Sequence, residues 1–226
     1  MAEGQIVAIG GVRDDEETRR LAEYVVGLTG KERPRVCFVP TATAETPDLL
    51  VLLYEHFSGL ADCSHVSFFP WPRADLRAFV LGQDVLFVSG GNTANMLAIW
   101  RVHGFDTIVR EAWERGAVLA GWSAGMICWY EAGVTDSFGP QLEGMRDGLG
   151  LLEGSACPHY DGEERRRPVY RELVAAGFPA GVAADDSVAL RYVGAELREV
   201  VAARDEGAAY RVEPEGEARL EPRVLG

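Results

Sequence analysis

Short apolar, β-prone runs alternate along this chain with longer stretches whose apolar positions recur every three or four residues. Gln5–Ile9 is the first short run, and it ends in Gly10-Gly11. Glu16–Leu28 then carries Leu21, Tyr24, Val25 and Leu28 on one face, a spacing that predicts a helix. Arg35–Val39 reads as a strand stopped by Pro40, and Asp48–Leu60 as a helix preceded by Pro47. His65–Phe69 is a strand candidate stopped by Pro70 and Pro72, and Asp84–Val88 is one that ends near Gly90-Gly91. Thr93–His103 and Phe105–Arg115 read as helices split at Gly104. Ala117–Ala120 is a short apolar strand, Ala124–Glu131 looks helical, and Glu163–Ala176 is a charged amphipathic helix. The tail turns β-rich over Ser187–Val193, Arg198–Ala203 and Ala208–Val212.

Strands alternating with helices of this length predict an α/β fold in three layers, a mostly parallel sheet flanked by helices. The β-rich tail should add antiparallel or edge strands. No repeat, low-complexity tract or Pro/Gly/Ser linker divides the chain, so residues 1–226 are expected to form one domain. Composition agrees: 47% hydrophobic and 25% charged residues are globular values, not those of a disordered or coiled-coil chain.

Charge narrows the partners. The formal net charge is −13, which disfavours binding to nucleic acid phosphates or to an anionic membrane surface. The longest uncharged run, Val85–Trp100, is interrupted by glycine and asparagine and is too short to span a bilayer. Met1-Ala2-Glu3-Gly4-Gln5 lacks a basic n-region, so no signal peptide is expected and the cytoplasm is the expected compartment. Cys37, Cys63, Cys128 and Cys157 are scattered, none in a CxxC pair, as in a reducing compartment. The histidines do not cluster with them, so neither metal nor cofactor is expected.

Chemistry concentrates in three loops at predicted strand ends, where ligands sit in open parallel sheets. Gly121-Trp122-Ser123-Ala124-Gly125 fits G-x-S-x-G between a strand and a helix candidate. With 26 glycines in 226 residues and eight serines, about 0.1 such matches arise by chance. In that turn the serine hydroxyl stands clear of the backbone, beside the N–H of Ala124. Serine needs a base, and His159 is the histidine lying in a polar loop, Cys157-Pro158-His159-Tyr160-Asp161. The histidine needs an acid to fix its tautomer. Asp185-Asp186, set in an apolar stretch, supplies two candidates; Asp136 and Asp161 compete. Ser89-Gly90-Gly91-Asn92-Thr93 offers Gly91 N–H as a second oxyanion donor beside that of Ala124. Taken alone, Gly90-Gly91 could equally bind phosphate or merely turn. Arg165-Arg166-Arg167 is a solvated helix face, or else one of the three, or Arg171, clamps a substrate carboxylate.

Together these segments resemble the peptidase E family, the serine aspartyl dipeptidases. The matching stretches are Ser89–Thr93, Ala120–Gly125, Gly148-Leu149-Gly150-Leu151-Leu152 leading into Cys157–Asp161, Arg166-Arg167-Pro168-Val169-Tyr170, and Ala184–Leu190. The resemblance implies a fold like class I glutamine amidotransferases with serine in place of the nucleophilic cysteine. It implies hydrolysis of dipeptides with N-terminal aspartate, without metal. Carried over by position, Ser123 is the nucleophile and His159 the base. Asp186 falls where many relatives have glutamate, with Asp185 and Asp136 as alternatives. Asn92, Asp161, Arg165 and Arg166 are candidates for substrate binding. The expected partner is a small peptide, with a homodimer as an open possibility. A cyanophycinase-like or carboxypeptidase specificity, and a non-catalytic amidotransferase-like binding module, are the rival readings.

Overall fold

A computed structural model describes residues 3–226, so Met1 and Ala2 of the acidic N-terminal stretch lie outside it. Strands and helices alternate first: β1 (Gln5–Ile9), α1 (Asp15–Gly27), β2 (Arg35–Val39), α2 (Pro47–His56), β3 (Asp62–His65), α3 (Leu76–Leu81), β4 (Val85–Val88), α4 (Thr93–Val102), α5 (Phe105–Glu114) and β5 (Val118–Trp122). Then come α6 (Ala124–Ile127), β6 (Tyr130–Thr135), β7 (Glu143–Met145), β8 (Leu152–Cys157), α7 (Arg166–Ala175) and β9 (Gly181–Ala184). The chain ends with β10 (Val188–Val193), β11 (Glu196–Ala202), β12 (Ala209–Glu213), β13 (Gly216–Leu220) and β14 (Arg223–Val224).

Two sheets result. The first runs β14-β11-β10-β1-β5-β4-β2-β3; β1, β5, β4, β2 and β3 are parallel, and β10 lies antiparallel to both β1 and β11. Both its faces are covered, which is why its central strands are unbroken apolar runs. Ile6, Ala8, Cys37, Val39, Leu86, Val88 and Leu119 face α4 and α5, packing with Met96, Leu97, Trp100 and Val109. The alternate residues Val7, Ile9, Val36, Phe38, Val85 and Phe87 face α1 and α2, packing with Leu21, Val25, Leu53 and Phe57. The second sheet runs β13-β12-β9-β8-β6-β7, parallel only across β6, β8 and β9. Ala156, Val182, Ala184 and Ala209 from it join the same apolar cluster as Ile6 and Ala8.

The expected α/β architecture holds, with differences in several elements. The strand expected over His65–Phe69 lies earlier, at Asp62–His65. Its partner β2 ends at Val39, before Pro40, and beyond that point the Glu45 carboxylate takes the Phe68 N–H at 2.6 Å in place of a ladder. The helix expected over Ala124–Glu131 ends at Ile127. The carbonyls of Cys128, Trp129 and Tyr130 accept N–H groups from residues 149–152 instead, turning the chain into β6. The tail does add antiparallel strands, but to both sheets, and the pattern did not anticipate α3 or the second sheet's β6–β9.

Register fixes the site's position. Ile9 pairs with Trp122, and Val88 with Gly121, so β1, β4 and β5 end together. The loops that follow them, at Gly10, Ser89 and Ser123, share one edge of the sheet.

Candidate active site

Ser123 is the hinge between β5 and α6. Its backbone sits at φ 57°, ψ −111°, strained for a side chain with a Cβ. Its flanking glycines are dictated by close packing. A Cβ at Gly121 would lie 2.5 Å from the Val88 carbonyl oxygen, and one at Gly125 2.3 Å from the same atom. The elbow is therefore pressed against the end of β4, and only glycine lets it approach. The N–H of Ser123 donates to the Ile9 carbonyl at 3.1 Å.

The β4 loop lies beside it. Gly91 has φ 126°, and a Cβ there would sit 2.3 Å from the Ala42 carbonyl oxygen. Asn92 caps α4: its Oδ1 accepts the Asn95 N–H at 2.8 Å, its Nδ2 donates to the Ser137 carbonyl at 2.9 Å, and its N–H donates to Ala42. Among the described residues, the N–H groups of Gly91 and Ala124 meet no acceptor, so both remain free to donate to a ligand.

His159 stands at the end of β8 with φ 54°, and its N–H donates to the Gly10 carbonyl at 3.2 Å. Its Nδ1 lies 2.7 Å from Asp186 Oδ1. An ionised carboxylate only accepts, so Nδ1 carries the proton and Nε2 is left as the basic nitrogen. Ser187 follows at φ 63°, its N–H bonded to the Gly11 carbonyl at 2.9 Å. Three successive carbonyls at the end of β1, those of Ile9, Gly10 and Gly11, thus hold Ser123, His159 and Ser187. Gly11 also lies tight against the pair. A Cβ there would sit 2.0 Å from Asp186 Oδ1 and 2.5 Å from His159 Nδ1. The Ser123 hydroxyl makes no hydrogen bond within the described chain.

The neighbouring acids differ in their surroundings. Asp185 is buried, and its Oδ2 accepts the Ala208 N–H at 2.9 Å. Burial and then the nearby Asp161 carboxylate push its carboxyl up to about 6. Asp161 accepts the Asp186 N–H at 2.9 Å and pairs with Arg204. Asp136 is exposed just beyond β6. Burial raises all four cysteine thiols, Cys157 to about 12, so none is a ready thiolate nucleophile. Among the described residues no group of three or more His, Cys, Asp or Glu is arranged for a metal ion. No helix among them is long and apolar enough to cross a membrane.

Residues 6–200 match peptidase family S51. The chain belongs to peptidase family S51. The S51 chain is 46% identical over 213 residues to the Bacillus subtilis (strain 168) peptidase YgaJ, itself uncharacterized, covering 92% of this chain and 91% of that protein. Two solved structures share its fold at 16% identity. One, a peptidase from an acI-B1 Actinobacterium, superposes with TM-score 0.71 over 98% of this chain and 95% of its own. The other, a candidate peptidase E from Listeria monocytogenes EGD-e, gives 0.67 over 87% and 98%.

In the S51 chain the two arginines expected near the substrate are not alike. Arg166 is buried, donating to Glu163 at 2.7 Å and to the Val134 carbonyl at 2.8 Å. Arg165 is exposed and, among the described residues, donates only to the neutral Gln141, at 2.7 Å. Arg167 pairs with Glu217, which also accepts the Tyr160 hydroxyl at 2.6 Å. Residues that sequence reasoning missed are Gly11 and Gly162, which wall the Asp186 carboxylate, and Arg204 and Glu217. Gly10-Gly11 after a strand was a visible signal; nothing in the pattern marked Arg204 or Glu217.

Proposed function

We propose that this peptidase is a serine peptidase working through Ser123, His159 and Asp186, and that it cleaves dipeptides with N-terminal aspartate. The observation that carries the reading is the His159–Asp186 hydrogen bond at 2.7 Å, with His159 and Ser123 held on the consecutive carbonyls of Gly10 and Ile9 at the end of β1. His159 Nε2 takes the proton of Ser123 as Oγ attacks the substrate carbonyl carbon. The Gly91 and Ala124 N–H groups receive the oxyanion. His159 passes the proton to the leaving nitrogen, the C–N bond breaks, and an acyl-enzyme remains. Water then attacks the ester, giving its proton to the same nitrogen, and Ser123 recovers it as the product acid leaves. The Asp186 carboxylate stabilises the imidazolium in both halves.

Arg165, whose guanidinium meets no acid among the described residues, is our choice to neutralise the substrate's carboxylate. A local cation is needed, since the chain carries a formal −13. Four unpaired cysteines fit work in the cytoplasm. The test is hydrolysis of Asp-X, Glu-X, Ala-X and β-linked Asp dipeptides by wild type and Ser123→Ala. Selective Asp-X cleavage that vanishes in the variant supports the reading. Cleavage of another class that also vanishes corrects the substrate alone, and cleavage surviving in the variant overturns the mechanism.

A further inference from the structure

Asp186 is gripped by its backbone as well as by His159. Its N–H donates to Asp161 Oδ1 at 2.9 Å, and its carbonyl accepts Arg204 Nε at 3.0 Å. Arg204 Nη2 closes the ring by pairing with Asp161 Oδ2. Arg204 is shielded, its side chain 13% exposed against 33% for Asp161. It lies beyond residues 6–200, the stretch matching family S51.

Two features show why the peptide before Ser187 needs holding. Ser187 is left-handed, a conformation a residue with a Cβ resists. The Asp186 carboxylate is wedged between glycines: a Cβ at Gly162 would meet Oδ2 at 2.2 Å, as one at Gly11 would meet Oδ1. A small rotation of the 185–187 turn would therefore move the carboxylate off His159 Nδ1. Asp161, two residues after His159, ties that rotation to the histidine loop itself. Arg204 also sets its charge beside acids from both segments, Asp161 of the histidine loop and Asp185 of the turn.

We propose that Arg204, with Asp161, is a positioning residue: a clamp that fixes the 185–187 turn so that Asp186 stays aligned on His159. The clamp rests on the triad reading above. It predicts that losing Arg204 lowers the reactivity of Ser123 by letting the acid drift, not by removing a group that meets substrate.

A substrate-independent test is the rate at which a fluorophosphonate labels Ser123, read beside the downfield Nδ1 proton resonance of His159. Arg204→Gln should slow labelling on the order of 100-fold, the scale of a displacement near 1 Å, and shift or broaden that proton. Arg204→Lys keeps the charge but not the fork, so it should recover part of both. Asp161→Asn keeps an acceptor for the Asp186 N–H while losing the ion pair. It should show the same two changes more weakly, and it carries the test if Arg204→Gln fails to fold. Wild-type labelling in the folded variants overturns the clamp; so does slow labelling with an unmoved His159 proton. Asp186→Asn separates the two levels: if it labels at the wild-type rate, the triad reading falls and the clamp with it.

Discussion

The two halves of the candidate site are held by different physics. The serine half is backbone against backbone. Gly121 and Gly125 press the elbow on the Val88 carbonyl, and Gly91 presses its loop on Ala42. Nothing in that half titrates. The histidine half is held by charged side chains: Asp186 on His159, Asp161 on Asp186, Arg204 on both, and Glu217 on Tyr160. Steric walls hold an atom in place at any pH, whereas ion networks can be loosened by a proton or by salt. On this comparison the position of Ser123 is a fixed feature of the fold. The orientation of His159 is the adjustable one.

Substitutions can break the comparison, and the largest effect belongs to the charged half. Asp186→Asn should lower kcat/KM on the order of 10⁴, because an amide can hold Nδ1 in the wrong tautomer. A loss below about tenfold would remove Asp186 from the proposed triad. Gly11→Ala comes next. The atoms in its way belong to the Asp186 and His159 side chains rather than to backbone, so the clash falls on the alignment of that pair. Activity should fall on the order of 100-fold while the thermal midpoint barely moves. Gly125→Ala is the counterpart in the rigid half. Its methyl would strike the Val88 backbone, which cannot yield. We expect about 1–3 kcal/mol of lost stability, read by urea unfolding. Equal effects of the two alanines on stability would erase the distinction.

The same contrast explains what was legible in the sequence. The first sheet and the elbow are local matters: unbroken runs such as Val85–Val88, a G-x-S-x-G turn, and glycine at a tight approach. The second sheet's β6–β9 were not legible because these strands mix apolar residues with glycine and glutamate, as in Tyr130-Glu131-Ala132-Gly133 and Leu152-Glu153-Gly154. Those runs read as turns until neighbouring strands supply pairing and cover. The choice between Asp185 and Asp186 was equally hidden. They are adjacent in sequence, and only the turn's left-handed exit at Ser187 sends one carboxylate to His159 and the other to Ala208. Arg204 reaches the site from 18 residues further on, a distance no spacing rule covers.

Asp185 gives the finest probe of the adjustable half. Its carboxyl, pushed up to about 6 by burial, binds a proton more tightly folded than unfolded, where it titrates near 3.9. Between those values the folded chain holds more protons, so stability falls as pH rises, and the cost is complete above pH 6. Asp185→Asn removes this cost and still presents an oxygen to the Ala208 N–H. The variant's stability relative to wild type should therefore rise by about 1 kcal/mol between pH 5 and pH 8, measured by urea unfolding at both. Its activity at pH 8 should stay within a few-fold of wild type, since its carboxylate faces Ala208 rather than His159. A loss comparable to that of Asp186→Asn would make Asp185 the working acid. A pH-independent stability difference would mean that the buried carboxyl ionises as freely as it does in water, and that the charged half is less responsive to protons than its burial implies.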